Sequence, residues 1–263
     1  MRKIFLEVIT VLSNAFYRLE GQVPPPKLVQ YGDGHVFRFV EQSLEQALLL
    51  KLARVVTGLK AVDALLAKGL LQEMAALCRI LDELCEDISF LTAALTNDEV
   101  TDLHARYLRG FWAEEFTDPT NTLARHKKPD TPKRSQVVAY THRVLNPSDN
   151  ASRTSDVQQV ISSTYSGYVH AKASQVMDMY GGDPLHFHIE GMLHTQRMVD
   201  HVHDGWNYHY RALIAVIFVA RAFGDAELSR GLGEYHDKFI VESGTRGEGI
   251  APVAGREPAV RGT

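Results

Sequence analysis

An all-α fold, a single multi-helix bundle of about seven to nine helices, is what three properties of this sequence predict. Apolar residues recur at helical spacing along nearly the whole chain, strand-like alternation is scarce, and Pro, Gly and capping residues punctuate it at helix-length intervals. The 263 residues, 45% hydrophobic and 23% charged, have ordinary globular composition and can bury a large core. One domain is expected over 1–243. Residues 244–263, rich in Gly, Pro and isolated Arg, are expected to be a disordered, flexible C-terminal tail.

The elements follow in order. Met1 to Leu12 starts basic and turns apolar like a signal peptide, but Glu7 interrupts the run and no small-residue cleavage site follows, so it reads as an amphipathic helix. Pro24-Pro25-Pro26 and Gly32-Asp33-Gly34 mark a loop, after which a second helical region covers Val36 to Leu66 and ends at Gly69. From Leu70 to Leu95, Met74, Leu77, Leu81, Leu84, Cys85, Ile88, Leu91 and Leu95 share one side as a sustained core stripe. Thr96-Asn97-Asp98-Glu99 has capping-box spacing and restarts a helix to Phe116, where Thr117-Asp118-Pro119 stops it.

Residues 119–135, with three prolines and five Lys/Arg, form an exposed basic loop, and a short helix follows from Gln136 to Leu145. After a turn-rich stretch, Ser155-Asp156-Val157-Gln158 caps a helix that runs to Tyr180 and ends at Gly181-Gly182. Asp183 to Glu190 is an extended connector. The longest helix covers Gly191 to Phe223, Gly224 stops it, and Asp225 caps a last helix to Val241.

A net charge of −4 gives no global pull toward nucleic acid or anionic lipid, so RNA contact would fall to a local patch, Arg125, Lys127, Lys128, Lys133 and Arg134. Leu213 to Phe223 is too short to span a bilayer and contains Arg221, so no membrane partner is expected and the protein reads as soluble and cytoplasmic. Cys78 and Cys85 are the only cysteines. Seven residues apart in one helix, their Cα atoms stand about 10 Å apart, too far for a disulfide, and they read as small core residues in a reducing compartment.

Three constellations carry chemistry. Arg79 and Glu83 face each other across one turn of the Leu70 to Leu95 helix, either as an exposed ion pair or as the wall of a polar pocket. In the helix opened by Ser155, Ser163, Ser166, Gly167, His170 and Ser174 share a stripe of small side chains that would let a neighbouring backbone approach and confine the His170 imidazole. On the longest helix Glu190, His194, Arg197, His201, Asp204, Tyr208 and Arg211 make a polar stripe opposite Met192, Met198, Val199, Val202, Trp206, Leu213 and Val216. Eight of the twelve histidines fall between His170 and His236, which makes Glu190, His194 and His201 the candidate metal ligands, with a second helix needed to complete a site. No segment carries a cofactor motif, and no cofactor is expected.

Arg79-x-x-x-Glu83 in a Leu-rich helix, with Tyr165-Ser166-x-Tyr168-Val169-His170 downstream, resembles a poorly characterised group of microbial all-helical proteins. More distantly, the chain resembles the HEPN superfamily of toxin–antitoxin and phage-defence proteins. The resemblance implies a helical bundle with Arg79, Glu83, Ser166 and His170 as its site, and, through the HEPN ribonucleases, metal-free RNA cleavage by an arginine and a histidine. Arg197 to His203 and Arg230 to His236 have that spacing, but Met198 and Gly231 stand where a polar residue usually follows the arginine. Two functions fit: a binding or regulatory module with a buried Arg/Glu/Ser/His network, whose partner is another protein or a second copy, and a metal-independent ribonuclease or toxin.

Overall fold

The computed structural model describes residues 1–117, 121, 123–145, 160 and 163–244. The helices are α1 Arg2–Glu20, α2 Leu44–Leu66, α3 Leu71–Thr96, α4 Asp102–Trp112, α5 Arg134–Leu145, α6 over 163–169, the single turn α7 Ala173–Val176, α8 Gln196–Ala222 and α9 Ala226–Glu242. Among the described residues, paired strands are confined to two hairpins, β1 Lys27–Tyr31 with β2 Gly34–Arg38 and β3 Tyr180–Gly181 with β4 His186–Phe187. The predicted all-α bundle is what the chain forms. No helix among the described residues is long and apolar enough to cross a membrane.

The centre of the bundle is α2, α3 and α8, with α1 against α2 and α8, α9 against α8, and α5 against α3. Leu52, Val55 and Leu59 of α2, Met74, Leu81 and Ile88 of α3, and Leu213 and Val216 of α8 are at most 1% exposed. Burying such side chains is the main driving force for assembly, at about 25 cal/mol per Å² of apolar surface. Local signals agree with it. Ser43 and Gln46 form a capping box at the start of α2, and Gly69 reverses the chain into α3 with a φ of +68°. Asp225 caps α9 by accepting from the Leu228 amide at 3.0 Å, and Arg18 of α1 donates to the same carboxylate at 2.7 Å. Cys78 and Cys85 are free and buried in the core.

Several boundaries differ from the sequence expectation. Residues 27–38 are a hairpin, and α2 begins only at Leu44: the Gly32-Asp33 turn places Leu28 opposite Phe37 and Val29 opposite Val36, strands too short to show a clear period. The capping box lies at Thr101 and His104 rather than at Thr96 and Glu99, since α3 runs through Thr96 and His104 Nδ1 accepts from the Thr101 amide. The α4 helix stops at Trp112. The helix carrying His170 ends at residue 169, where Ala171 turns to a φ of +48° before α7. The longest helix begins at Gln196, because Gly191 and His194 take φ values of +121° and +65° that no helix continues through. The expected cap at Ser155–Gln158, the turns around 146–154, residues 118–120 and 122 of the basic loop, and 245–263 of the expected tail lie outside the described residues.

Two contacts position the connector before α8. The Met192 amide donates to the Gly69 carbonyl at 2.8 Å, and a Cβ on Gly191 would stand 2.2 Å from the Lys68 carbonyl oxygen. Only glycine fits against that backbone. Gly191→Ala should lower stability by about 2 kcal/mol, from the left-handed φ and the clash together, as read by urea denaturation; an unchanged midpoint would refute the contact.

Candidate functional site

Three carboxylates of α3 enter the protein interior. Asp82 is 1% exposed and Asp87 6%, with Glu86 half-buried between them. Their spacing of four and one puts them on the side of α3 that meets α5 and α8, where leaving a charge unpaired would be expensive. Each finds a cation from another helix. Arg211 of α8 donates to Asp82 Oδ1; Arg134 of α5 donates to Glu86 and Asp87, and to the Glu83 carbonyl at 2.9 Å. Lys51 of α2 donates to Asp87 at 2.7 Å, with its Nζ over the Phe111 and Tyr107 rings at 5.0 and 5.6 Å. Burial pushes the Glu86 carboxyl up, with the Arg134 guanidinium pulling the other way, and burial followed by the nearby Asp87 charge raises the Tyr107 hydroxyl.

A second polar group continues the seam under α6. Tyr165 packs edge-on against Tyr208 at 5.8 Å, and Tyr168 edge-on against His201 at 5.9 Å. The Tyr168 hydroxyl donates to Asp178 at 3.3 Å, and Arg197 donates to the same carboxylate at 2.7 Å. Burial first and Asp178 second push the Tyr168 hydroxyl up to about 12. His201 Nδ1 lies 3.2 Å from Asp204 Oδ2 at an angle that makes no hydrogen bond. Asp82 Oδ2 and the Tyr208 hydroxyl, both on residues 1% exposed, also have no hydrogen-bond partner among the described residues.

The residues singled out from the sequence lie elsewhere. Arg79 and Glu83 make a 2.6 Å ion pair on a half-exposed face of α3. Ser166 is half-buried and His170 is exposed at the turn that ends α6, so the small-residue stripe does not confine the imidazole. Ser166 and His170 share a backbone hydrogen bond of 3.1 Å, and among the described residues no hydrogen bond or ion pair joins the His170 side chain to Arg79 or Glu83. Glu190 and His194 are exposed and precede α8, whereas His201 is buried within it, and no three His, Cys, Asp or Glu among the described residues are placed to hold a metal ion. Lys127, Lys128 and Lys133 are exposed, and Arg125 is exposed beside Glu115 at 3.8 Å; Arg134 leaves the basic set because its guanidinium is committed to Glu86 and Asp87.

The polar stripe of α8 splits into two environments: His201, Tyr208 and Arg211 turn into the seam, and Val199, assigned to the apolar side, is 50% exposed. The signal for this inward polar face was present in α3, where Asp82 follows Leu81 and lies one turn after Cys78, a charge set inside the apolar stripe.

One cleft opens beside the seam. Met177, Asp178, Tyr180, His188, His194 and Arg197 are among its walls, around a volume of about 460 Å³. Its imidazoles come from the β3–β4 hairpin and the strained loop before α8, elements that a 3.6-residue period cannot bring together. The fold and seam define a helical bundle with ion pairs across its core. The chain matches no family model, no curated protein and no solved structure.

Proposed function

We propose that the chain is a binding or regulatory module built on a helical bundle, whose interior charges fix the packing of its helices. The observation that carries this reading is the matching of nearly sealed carboxylates by cations from other helices, Asp82 by Arg211 and Asp87 by Lys51 and Arg134. Charges neutralised in place and walled by Tyr107, Tyr165 and Tyr208 hold helices in one register, and removing either partner of such a pair is costly. A cytoplasmic site of action belongs to the same reading, supported by the two free thiols. The partner is another protein or a second copy of the chain.

A second reading, a metal-independent HEPN-like ribonuclease or toxin, is favoured by the cleft, where His188 and His194 stand with Arg197 as an imidazole-and-guanidinium set suited to general acid/base chemistry on a phosphodiester. In that case Arg125, Lys127, Lys128 and Lys133 supply backbone contacts. Incubating the purified protein with single-stranded RNA and DNA, with and without chelator, separates the two. The binding module leaves both substrates intact. Cleavage that survives chelation and disappears in His188→Ala or Arg197→Ala would overturn it in favour of the nuclease.

A further inference from the structure

Residues 163–179 form a thin cover across α3 and α8. Ser163, Thr164, Val169, His170, Ala171, Lys172, Ala173 and Ser174 are exposed, and Tyr165 is the one large side chain of the segment that is fully buried. Among the contacts that hold the segment are the Tyr165 ring on Tyr208 with its hydroxyl toward Asp204, the Tyr168 ring on His201, the Tyr168–Asp178–Arg197 chain, and the Gln72 side-chain amide donating to the Gln175 carbonyl at 2.7 Å. Within it, Gln175 folds back onto Gly167, where an added Cβ would meet its amide at 2.7 Å.

Beneath it lie the polar atoms the interior leaves unmet. Among the described residues the Tyr208 hydroxyl and His201 Nδ1 find no hydrogen-bond partner, and Tyr165 and Tyr168 pack on the rings that carry them. Buried polar atoms in that condition raise the free energy of the closed arrangement, and water reaching them in an open one recovers it. The cost of lifting the cover is thus partly offset, while lifting any of the central helices would also expose the apolar core.

We propose that residues 163–179 are a lid that lifts from the α3–α8 face as a unit, uncovering Tyr208 and His201 while α2, α3 and α8 stay assembled. Cys78 reports the motion. It is buried, with Tyr165, Tyr208 and Asp204 among the groups whose charges it feels, whereas Cys85, two turns further along α3, shares Asp82 and Arg211 with it but has Glu86 and Asp87 in place of the lid's tyrosine. The lid stands whether the protein binds or cleaves.

The test is thiol labelling by a maleimide under native conditions, in Cys78→Ser and Cys85→Ser backgrounds that leave one thiol each. Tyr165→Ala, which removes the buried wedge, and Asp178→Asn, which loosens Tyr168 and Arg197, should each speed Cys78 labelling about tenfold while changing Cys85 less than about twofold. Cys78 labelling should also be nearly flat in low urea where Cys85 labelling climbs. A parallel rise of both thiols in either variant, or matching urea slopes, means that Cys78 is reached only by global unfolding and overturns the lid.

Discussion

Arg211→Met should destabilise the protein by about 3–5 kcal/mol, because it leaves Asp82 charged at 1% exposure with no counter-ion. The effect reaches beyond one contact. The Arg211 guanidinium also stands 5.6 Å from the Tyr208 ring, so its loss removes the cation that this ring and the Asp82 carboxylate share. The companion variant Asp82→Leu strands the cation instead, and the double variant restores an uncharged contact between α3 and α8. Urea denaturation of the four proteins should show the double variant well above the sum of the single losses. Additive losses would mean that the pair is not coupled, and would remove the main support for charges that fix packing.

Acidification should cost about 3 kcal/mol of stability through His209 alone. This side chain is fully buried, stacked on Phe5 at 4.2 Å, and hydrogen-bonded through Nδ1 to the Gly205 carbonyl at 2.7 Å, with no partner for Nε2 among the described residues. Burial pushes its pKa down to about 4, against the weaker opposing influences of the Gly205 carbonyl and Asp63. The unfolded chain therefore binds a proton where the folded one does not. The contribution is fully present above the ordinary histidine value near 6.5 and is lost as pH falls through about 4. His104, also buried and also shifted down by burial, adds to the same slope. His209→Phe keeps a ring on Phe5 and should flatten the loss between pH 6.5 and 4 by about 3 kcal/mol in denaturation at fixed pH steps. An unaltered pH slope would show that this imidazole does not control acid stability.

The sequence made the frame legible where the signal is local. The α3 stripe, the Gly69 reversal, the Asp225 cap and the buried cysteines each depend on residues within a turn or two of one another, and all appear where expected. What it hid is the pairing between distant elements. Arg134 reads as one more cation of a basic loop until α5 sets it against Glu86 and Asp87, and Arg211 reads as one more polar residue of a stripe until α8 meets α3. The confinement expected of His170 failed for a related reason: its small-residue stripe assumes a helix that continues past residue 169, and the left-handed turn at Ala171 ends it. Periodicity says which side chains share a face, and is silent on which face the rest of the chain will cover.

The 2.8 Å hydrogen bond from the Met192 amide to the Gly69 carbonyl has a bearing on how the molecule assembles. It joins the corner between α2 and α3 to the entrance of α8, so everything between Gly69 and Met192 departs from and returns to one point. The α2–α3 pair can form early from neighbouring sequence, but α8 must be captured across that whole excursion before the centre of the bundle is complete. Closing so large a loop is paid in chain entropy ahead of any reward from packing, which places the arrival of α8 at the slow end of folding for a helical protein. The Lys51–Asp87 pair can close with α2 and α3 themselves, while Asp82 waits in water until α8 brings Arg211 to it.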